Sequence, residues 1–479
     1  MAFNIFKKFS KRAQEKQFED LRCRLLCVNE KINVPAIGAR TAELNRELTD
    51  KELTALLNRP DIVEANKAHA HLLTENVAVA LNYMDSGVKP AVLVMGNAGT
   101  GKTMQCIAPN IELANGSYVI TDNGGVLLQR YGSYLEERGY DVRVLDLTNH
   151  KQSLRFNPLK YVKTEVDAEC LAKELAAVIE PEDRFKRDTI AILLGACIGY
   201  LVATQPVEKR TLRNLLSLMN TYSQNGKLER LFEDFHITRS NTETFKKYKI
   251  WMLGSEELKE ATMLSAALGL ARFIHNNDFV NLTYQDELNL EDFADPEKKI
   301  AFFIVMREVG KYNWLGGTAL RCVCNSIHHD RSYRTPLQKI RFLLDDCAYV
   351  SPTFVLNYFY SYYRFGASFM FSFRTVDELK KVERDTWEEI IDCFDTVMIT
   401  GTSNISTVDF FVQRFNVDMK RISTMPTDES LLFIRHLGDG MLPVIQDKKI
   451  AIKPIVASYN KLSALEYDAE AIKKTNVDF

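Results

Sequence analysis

Residues 96–103 read Gly96-Asn97-Ala98-Gly99-Thr100-Gly101-Lys102-Thr103 and match the pattern G-x-x-x-x-G-K-[ST] at each fixed position. An apolar run at 91–95 precedes this stretch, and a sequence of helical character follows from Thr103. A strand, a glycine-rich loop and a helix in that order are the context that a phosphate-binding loop requires. The glycines let the backbone curl so that several N–H groups point at one phosphate. The stretch therefore predicts a nucleotide-binding loop at the end of a buried strand.

The two polar residues that close the loop have expected roles of their own. The Lys102 ammonium can reach the β- and γ-phosphates, and the Thr103 hydroxyl can hold Mg²⁺. The helix N-terminus adds partial positive charge. We therefore expect ATP and Mg²⁺ as ligands and all eight loop residues as their contacts. The alternative is a glycine-rich turn that matches the pattern by chance.

Composition and charge set limits on the rest of the molecule. The chain has 479 residues, which is too many for one ordinary core and predicts two or three domains. The formal net charge of −2 does not indicate a nucleic-acid partner, so any such contact would need a local basic patch. Nine scattered cysteines favour a reducing, cytoplasmic compartment. The longest apolar segment, 189–202, is interrupted by two glycines and is expected to be too short to span a membrane.

Hydrophobic periodicity divides the chain into α/β and helical parts. Apolar runs typical of buried parallel strands occur before and after a long helical stretch. The strands are expected at 91–96, 117–122, 141–147, 299–306, 340–346, 367–373 and 396–401, with a closing hairpin at 431–435 and 444–452. Between them, apolar residues recur at three- and four-residue steps at 168–179, 187–204, 212–222, 227–235 and 258–274. A doubly wound, mostly parallel sheet with an inserted all-α domain is the predicted architecture.

This pattern gives an expected order of domains along the chain. A basic arm and helical lead-in occupy 1–70, and the nucleotide-binding domain is split into 71–164 and 291–460. The all-α insertion occupies 165–290, and a polar tail follows at 461–479. In the arm, residues 1–12 alternate aromatic with basic side chains, which predicts either contact with a membrane surface or a solvated, partner-bound segment.

A second motif supplies the acids that nucleotide hydrolysis needs. The stretch Ile340-Arg341-Phe342-Leu343-Leu344-Asp345-Asp346 has four apolar residues before two acids, as in a buried strand that delivers carboxylates at its carboxyl end. We expect Asp345 to assist Mg²⁺ and Asp346 to orient or deprotonate the attacking water. The alternative is a strand that ends in an Asp-rich turn. The pairing of this motif with the phosphate loop favours the catalytic interpretation.

At least one strand and the whole helical stretch separate the two motifs. This layout is typical of the additional-strand branch of P-loop ATPases, with a RecA-like core. In that branch the acid after the Mg²⁺-linked Asp is usually Glu, whereas here it is Asp346, which is shorter by roughly 1.5 Å. Because a 1 Å error in placing a reacting group costs on the order of a hundredfold in rate, slow hydrolysis is a second expectation.

An ordered series of segments resembles the type IV secretion coupling ATPases of conjugation systems, the TraG-type DNA-transfer proteins. The resemblance spans roughly residues 70–420 and places the helical stretch where that family inserts its all-α domain. Its segments are the phosphate loop, Ala108-Pro109-Asn110, the strand 117–122, Gly139-Tyr140-Asp141-Val142, Asn157-Pro158-Leu159, 342–348, 392–401 and 406–411.

The sequence departs from that family at three places. The Asp-Pro-Lys-Gly-Glu motif is replaced by Asp122-Asn123-Gly124-Gly125-Val126, and the catalytic Glu is replaced by Asp346. A glutamine is usual near the end of the strand after the second motif, and Arg374 stands at the equivalent place. Arg374 is expected to contact a phosphate or, alternatively, to form a surface salt bridge. Outside these motifs, the family's N-terminal transmembrane helices are not expected in this sequence, because no stretch of it approaches the roughly 18 consecutive apolar residues of a membrane span.

The resemblance implies a function and a set of partners. It implies a hexameric ATPase that recruits or pumps single-stranded DNA bound to a relaxase into the secretion channel. Six copies would concentrate modest basic patches on one pore, with candidates at 209–213 and 246–249. The implied location is the cytoplasm, with peripheral contact at the inner face of the membrane. The alternative is a weakly hydrolysing or non-hydrolysing relative that docks secretion cargo in a nucleotide-dependent way.

Overall fold

A computed structural model of the chain describes residues 70–75, 77–81, 89–224, 226–239, 242–329, 339–350, 366–382, 386–434, 444–452, 458–459, 465–477 and 479. The predicted arm and lead-in helix at 1–69 lie outside the described residues, as does the turn of the closing hairpin. The chain divides into two compact units. The first comprises 1–142, 293–303 and 330–460, and the second comprises 143–292, 304–329 and 461–479.

The predicted strands form, with small shifts at their ends. A separate two-stranded sheet precedes the main one and pairs β1 (Ala70–Leu72) antiparallel with β2 (Ala78–Ala80). The main sheet contains β3 (Ala91–Gly96), β4 (Ser117–Asn123), β5 (Asp141–Asp146), β6 (Ile300–Met306), β7 (Ile340–Leu344), β8 (Ala367–Phe373), β9 (Thr396–Gly401), β10 (Glu429–Ile434) and β11 (Val444–Lys448). All residues of β3, β7 and β8 are buried, because helices cover both faces of a parallel sheet.

The strand order of the sheet is β11-β10-β9-β3-β8-β7-β4-β6-β5. The pairs β9–β3, β3–β8, β8–β7 and β7–β4 are parallel, whereas β10 runs antiparallel to both β9 and β11. Strand β8 lies between β3, which leads into the phosphate loop, and β7, which leads into the two acids. The mostly parallel sheet and the additional strand predicted from the sequence are thus confirmed.

Short helices connect the strands of the first unit. A π-helical turn, Lys102–Ile107, follows the phosphate loop and continues as an α-helix over Ala108–Glu112. Helix Val126–Glu136 follows β4. After β8 and β9 the chain forms Val376–Val382, Trp387–Asp392, Ile405–Phe415 and Met419–Ser423.

The second unit is mainly helical, as predicted for this part of the chain. Its helices are Glu165–Ile179, Arg184–Thr204, Leu212–Asn220, Lys227–Thr238, Glu243–Met252, Glu256–Ile274, Asn277–Thr283, Asn313–His329 and Ala469–Lys474. Helix Glu243–Met252 was not predicted, because Lys246, Lys247 and Lys249 interrupt the apolar pattern in its centre. A capping box begins the first of these helices, with the Thr164 hydroxyl and the Asp167 carboxylate each accepting a backbone N–H of the other residue.

The helical unit is wider than the expected range 165–290. Helix Asn313–His329 belongs to it because its polar face bonds to helix Glu165–Ile179. Arg321 donates to both oxygens of Glu174 at 2.6 and 3.1 Å, and Thr318 donates to one of them at 2.7 Å. The segment after residue 461 also belongs to it, since the Asn214 amide donates to the carbonyl of Thr475 at 2.7 Å.

Helix Arg184–Thr204 is the single segment of the described residues that matches a membrane span in length and composition, with a mean hydropathy of 1.4. The sequence analysis expected this region to be too short, but the helix begins five residues before the apolar run and reaches 21 residues. Leu193, Leu194, Ile198 and Leu201 are fully buried in the helical unit. A core helix passes the same length and composition test, so the feature has a structural explanation within this unit.

Candidate nucleotide-binding site

The phosphate loop has the backbone that its glycines predict. Gly99 and Gly101 adopt φ values of 79° and 94°, a left-handed region that residues with a Cβ rarely enter. Gly96 is required for a different reason, because a Cβ at this position would lie 2.1 Å from the Thr400 hydroxyl and 2.6 Å from that of Thr100. The pattern of fixed glycines therefore reflects both loop curvature and close packing against the end of β9.

The loop is held by its own side chains and by the residues that follow β9. The Lys102 ammonium, which is 6% exposed, donates to the carbonyls of Gly96 and Asn97 at 2.7 and 3.1 Å. The Asn97 amide donates to Ser403 at 2.7 Å and accepts from Thr402 at 3.2 Å. The Lys102 side chain thus folds back over the loop. Its ammonium group donates to neutral carbonyl oxygens, which an anionic phosphate can replace because hydrogen bonds to charged acceptors are stronger.

Thr103 and Asp345, the two residues expected to hold Mg²⁺, are in direct contact. The Thr103 hydroxyl donates to Oδ2 of Asp345, whose other carboxylate oxygen accepts from the Ser372 hydroxyl at 2.6 Å. Asp345 is 2% exposed. Burial, followed by the negative charge of Asp346, raises the pKa of Asp345. A buried carboxylate beside a hydroxyl is an oxygen donor set that suits a hard divalent cation, and such a cation would offset the cost of the buried charge.

Asp346 lies next to this donor set but in an unusual backbone conformation. Its φ is 45°, in the left-handed region, and its backbone N–H donates to the Ser372 hydroxyl at 2.9 Å. Ser372 therefore fixes both acids, through the side chain of Asp345 and the main chain of Asp346. Sequence reasoning missed Ser372, because its only signal is its place one residue before the end of β8.

Two neighbouring strands supply partners for the Asp346 carboxylate. The Asn123 amide donates to Oδ2 of Asp346 at 2.9 Å, and the Arg374 guanidinium lies 3.4 Å from the same oxygen. Arg374 also stacks over the ring of Tyr349, with 5.4 Å between its Cζ atom and the ring centroid. Arg374 thus forms a salt bridge with the second acid of the site, and the expected contact of Arg374 with a phosphate stays a prediction.

Asp122 has a different role from the acids of β7. Its two carboxylate oxygens accept the backbone N–H groups of Leu127 and Leu128, at 3.1 and 2.7 Å, so it caps helix Val126–Glu136. The glycines between them, Gly124 and Gly125, both have positive φ. Burial raises the pKa of Asp122 to about 6. In the segment 122–126, which replaces the family's Asp-Pro-Lys-Gly-Glu motif, the acid Asp122 is thus retained because it caps the following helix.

Two lysines of the candidate basic patch at 246–249 form ion pairs, and one arginine of the patch at 209–213 is partly buried. Lys246 pairs with Glu243 at 2.6 Å, and Lys247 pairs with Glu169 at 3.1 Å. Arg210 donates to the carbonyl of Gln205 at 2.9 Å, and burial lowers its pKa. The two ion pairs reduce the positive field that the patch at 246–249 presents to solvent.

Comparisons with known proteins agree with this geometry. The sequence profile of the family described as "Type IV secretory system Conjugative DNA transfer" matches residues 49–347, more than half of the chain. No curated protein sequence matches. The family match covers the phosphate loop, the helical unit as far as residue 329 and both acids that follow β7.

Solved structures of a plasmid coupling protein, TrwB, share the fold. Its complex with ADP and Mg²⁺ superposes with a TM-score of 0.55 at 15% identity, over 90% of this chain and 95% of that chain. The complex with a non-hydrolysable ATP analogue gives 0.53 at 14% identity with the same coverage. A truncated form with sulphate gives 0.56 at 14% identity, over 83% of this chain and 92% of that one. At such identities the likeness establishes the fold.

Proposed function

This chain belongs to the type IV secretory system conjugative DNA-transfer family, and from that premise we propose that it is an ATP-binding coupling protein with ATPase activity. It recruits or pumps single-stranded DNA bound to a relaxase into a conjugative secretion channel. The observation that carries the proposal is the direct contact between Thr103 of the phosphate loop and Asp345 at the end of β7. That contact joins the two halves of a nucleotide site across the additional strand.

In this proposal the loop residues Gly96 to Thr103 bind the phosphates of ATP. Lys102 exchanges its carbonyl partners for phosphate oxygens, and Thr103 and Asp345 hold Mg²⁺. When bound, Mg²⁺ neutralises charge that develops on the phosphate oxygens. Asp346 accepts a hydrogen bond from the attacking water and orients it, and the Arg374 guanidinium, 3.4 Å from the Asp346 carboxylate, adds positive charge beside that carboxylate.

A turnover assay tests the activity. We expect the full chain to hydrolyse ATP with Mg²⁺, and single-stranded DNA to raise the rate. Lys102→Ala should abolish both turnover and tight nucleotide binding, because it removes the charge that binds the β- and γ-phosphates. Lys259→Ala is the matched control, since Lys259 is equally buried at 6% exposed but pairs with Glu256 in the helical unit. An ATP turnover rate that single-stranded DNA does not change would exclude a DNA motor. Equal nucleotide binding by the two variants would exclude the phosphate loop as the nucleotide-binding site.

A second candidate function has its own support. The Asp346 carboxylate is already engaged by Asn123 and Arg374, and it is shorter than the family's Glu. A weakly hydrolysing or non-hydrolysing protein that docks cargo when nucleotide is bound fits that arrangement. Nucleotide-dependent binding of a relaxase–DNA complex, with no turnover above that of Lys102→Ala, would favour this function over the motor.

The proposed assembly is a homo-oligomer, a hexamer around DNA, on the cytoplasmic side of the membrane. The near-neutral net charge supports an assembly, since one chain offers little positive field to DNA. Peripheral contact with the membrane would come through another subunit or through residues 1–12. Deletion of residues 1–12 followed by membrane fractionation separates the two, because an unchanged distribution removes the arm as the anchor.

A further inference from the structure

The three places where this chain departs from the family's motifs meet at one carboxylate. Asn123 lies in the segment 122–126, which replaces the family's Asp-Pro-Lys-Gly-Glu motif. Asp346 replaces the usual Glu, and Arg374 replaces the usual glutamine. In the structure the Asn123 amide donates to Oδ2 of Asp346 at 2.9 Å, and the Arg374 guanidinium lies 3.4 Å from that oxygen. The residues at these three places are therefore in contact with one another through the Asp346 carboxylate.

The register of the sheet explains how these residues come together. On one side of β7, Thr121 of β4 pairs with Leu344, so the next residues of both strands continue toward Asn123 and Asp346. On the other side, Leu344 pairs with Phe371 of β8, which leads toward Arg374. The Thr121 hydroxyl donates to the carbonyl of Asp345 at 2.7 Å and fixes this register at the strand ends. Both partners of Asp346 thus come from rigid neighbouring strands.

A structural role does not account for the Asn123 side chain. The residue that caps helix Val126–Glu136 is Asp122, whose carboxylate takes the N–H groups of Leu127 and Leu128. The turn itself is made by Gly124 and Gly125, at φ values of 81° and 79°. The contact that the Asn123 amide makes is the hydrogen bond to the Asp346 carboxylate.

We propose that Asn123 is a positioning residue for ATP hydrolysis, which fixes the Asp346 carboxylate while Arg374 holds the same oxygen from the other side. This inference rests on the proposed ATPase function. The fixed carboxylate orients the attacking water from a shorter side chain than the family's Glu. Asn123 contacts neither nucleotide nor water in this role and acts only through Asp346.

The kinetic test replaces Asn123 by Ala. We expect kcat to fall roughly tenfold to a hundredfold, because loss of the hydrogen bond frees the carboxylate by a fraction of an ångström to about 1 Å. KM for ATP should stay within about twofold, since the phosphate loop is untouched. Asn149→Ala is the matched control, as Asn149 also follows a strand and donates its amide to a side-chain oxygen, that of Gln152. A merely structural role would change both kinetic constants or neither.

A double-mutant comparison shows whether Asn123 acts through Asp346. In an Asp346→Ala background, adding Asn123→Ala should cause no further loss of kcat. An undiminished further loss would overturn the proposal, as would an Asn123→Ala variant with the kcat of the original chain.

Trapping of a phosphoryl analogue separates this proposal from the function on which it rests. The full chain should trap ADP with aluminium fluoride, and Asn123→Ala should weaken trapping while leaving ADP affinity unchanged. Absence of ADP and ATP binding by the unsubstituted chain would overturn the nucleotide-binding function itself. Nucleotide binding with neither turnover nor trapping would overturn the positioning role and leave nucleotide binding intact.

Discussion

The left-handed backbone of Asp346 bears on why this acid is not Glu. Asp and Asn enter positive φ several-fold more readily than most residues, since their short polar side chains bond locally. Asp346 has a φ of 45°, and Ser372 accepts its N–H. The sequence alone did not decide whether Glu at this position would hydrolyse ATP faster or more slowly than Asp346. The observed conformation favours a site adapted to Asp.

We therefore expect Asp346→Glu to lower ATP turnover. The longer side chain displaces the carboxylate from Asn123 and Arg374, and the left-handed backbone costs Glu on the order of 1 kcal/mol more than Asp. Turnover of purified protein measures the first effect, and thermal unfolding measures the second. Asp346→Asn is the control, since it keeps the backbone preference and removes the charge. A large rise in turnover for the Glu variant would show instead that Asp346 impairs the enzyme.

The buried cap Asp122 gives a pH-dependent contribution to stability. Its folded-state pKa is about 6, above the value of about 3.9 for an unfolded Asp. Because the folded-state pKa is the higher one, ionisation of Asp122 costs stability, and this cost develops as pH rises from about 4 to about 6.

The variant Asp122→Asn, which cannot titrate at this position, measures that cost. Relative to the variant, the original chain should lose up to roughly 3 kcal/mol of unfolding free energy as pH rises through this window. Denaturant titrations at pH 4 to 7 check the difference. Asp183→Asn supplies a matched control, as Asp183 caps helix Arg184–Thr204 with an exposed carboxylate. A difference that stays constant with pH for Asp122→Asn would contradict the expectation.

At the scale of elements, two glycines of helix Arg184–Thr204 have different packing. A Cβ at Gly199 would lie 2.3 Å from the Thr244 hydroxyl and 3.1 Å from the Thr244 Cβ, so helix Glu243–Met252 approaches closely at this point. A Cβ at Gly195 would lie 3.3 Å from Cδ of Lys247, a flexible side chain. The same two glycines interrupted the apolar pattern in the sequence.

Gly199→Ala should destabilise the helical unit by about 1–3 kcal/mol, because the added methyl forces two packed helices apart. Gly195→Ala, in the same helix, should be neutral or stabilising by up to about 1 kcal/mol, since Ala is the better helix former. Thermal unfolding of both variants checks the pair. Equal effects of the two substitutions would show that helix propensity, rather than packing, decides this contact.

At the scale of the whole molecule, charge predicts that DNA stimulation depends on assembly. The net charge is −2, and Lys246 and Lys247 are engaged in ion pairs. One chain therefore has a weak positive field, and a ring would be needed to concentrate it.

Turnover per chain at saturating single-stranded DNA should rise steeply with protein concentration as oligomers form. Turnover without DNA should depend less on concentration. Measurements of rate against protein concentration, with oligomer size followed by light scattering, check this expectation. A DNA-stimulated rate per chain that is constant down to concentrations where only monomers are present would contradict it.

The positions of the buried strands, the order of the two motifs and the phosphate loop could be predicted from the amino-acid sequence. These features follow from local rules: buried strands need apolar runs, and the loop needs glycine where φ is positive. Thr103 and Asp345 could both be predicted to hold Mg²⁺ from equally local features. Thr103 closes the loop that follows β3, and Asp345 comes directly after β7.

The residues that surround Asp346 became evident from the three-dimensional arrangement of the strands. Nothing in the sequence around Ser372 marks it as a site residue, and nothing in the sequence connects Asn123 or Arg374 with the carboxylate of Asp346. They meet because parallel pairing of β4, β7 and β8 brings three strand ends to one edge, and register is a property of the whole sheet. The extent of the helical unit has the same cause, because buried contacts such as Arg321–Glu174 join segments that periodicity treats separately.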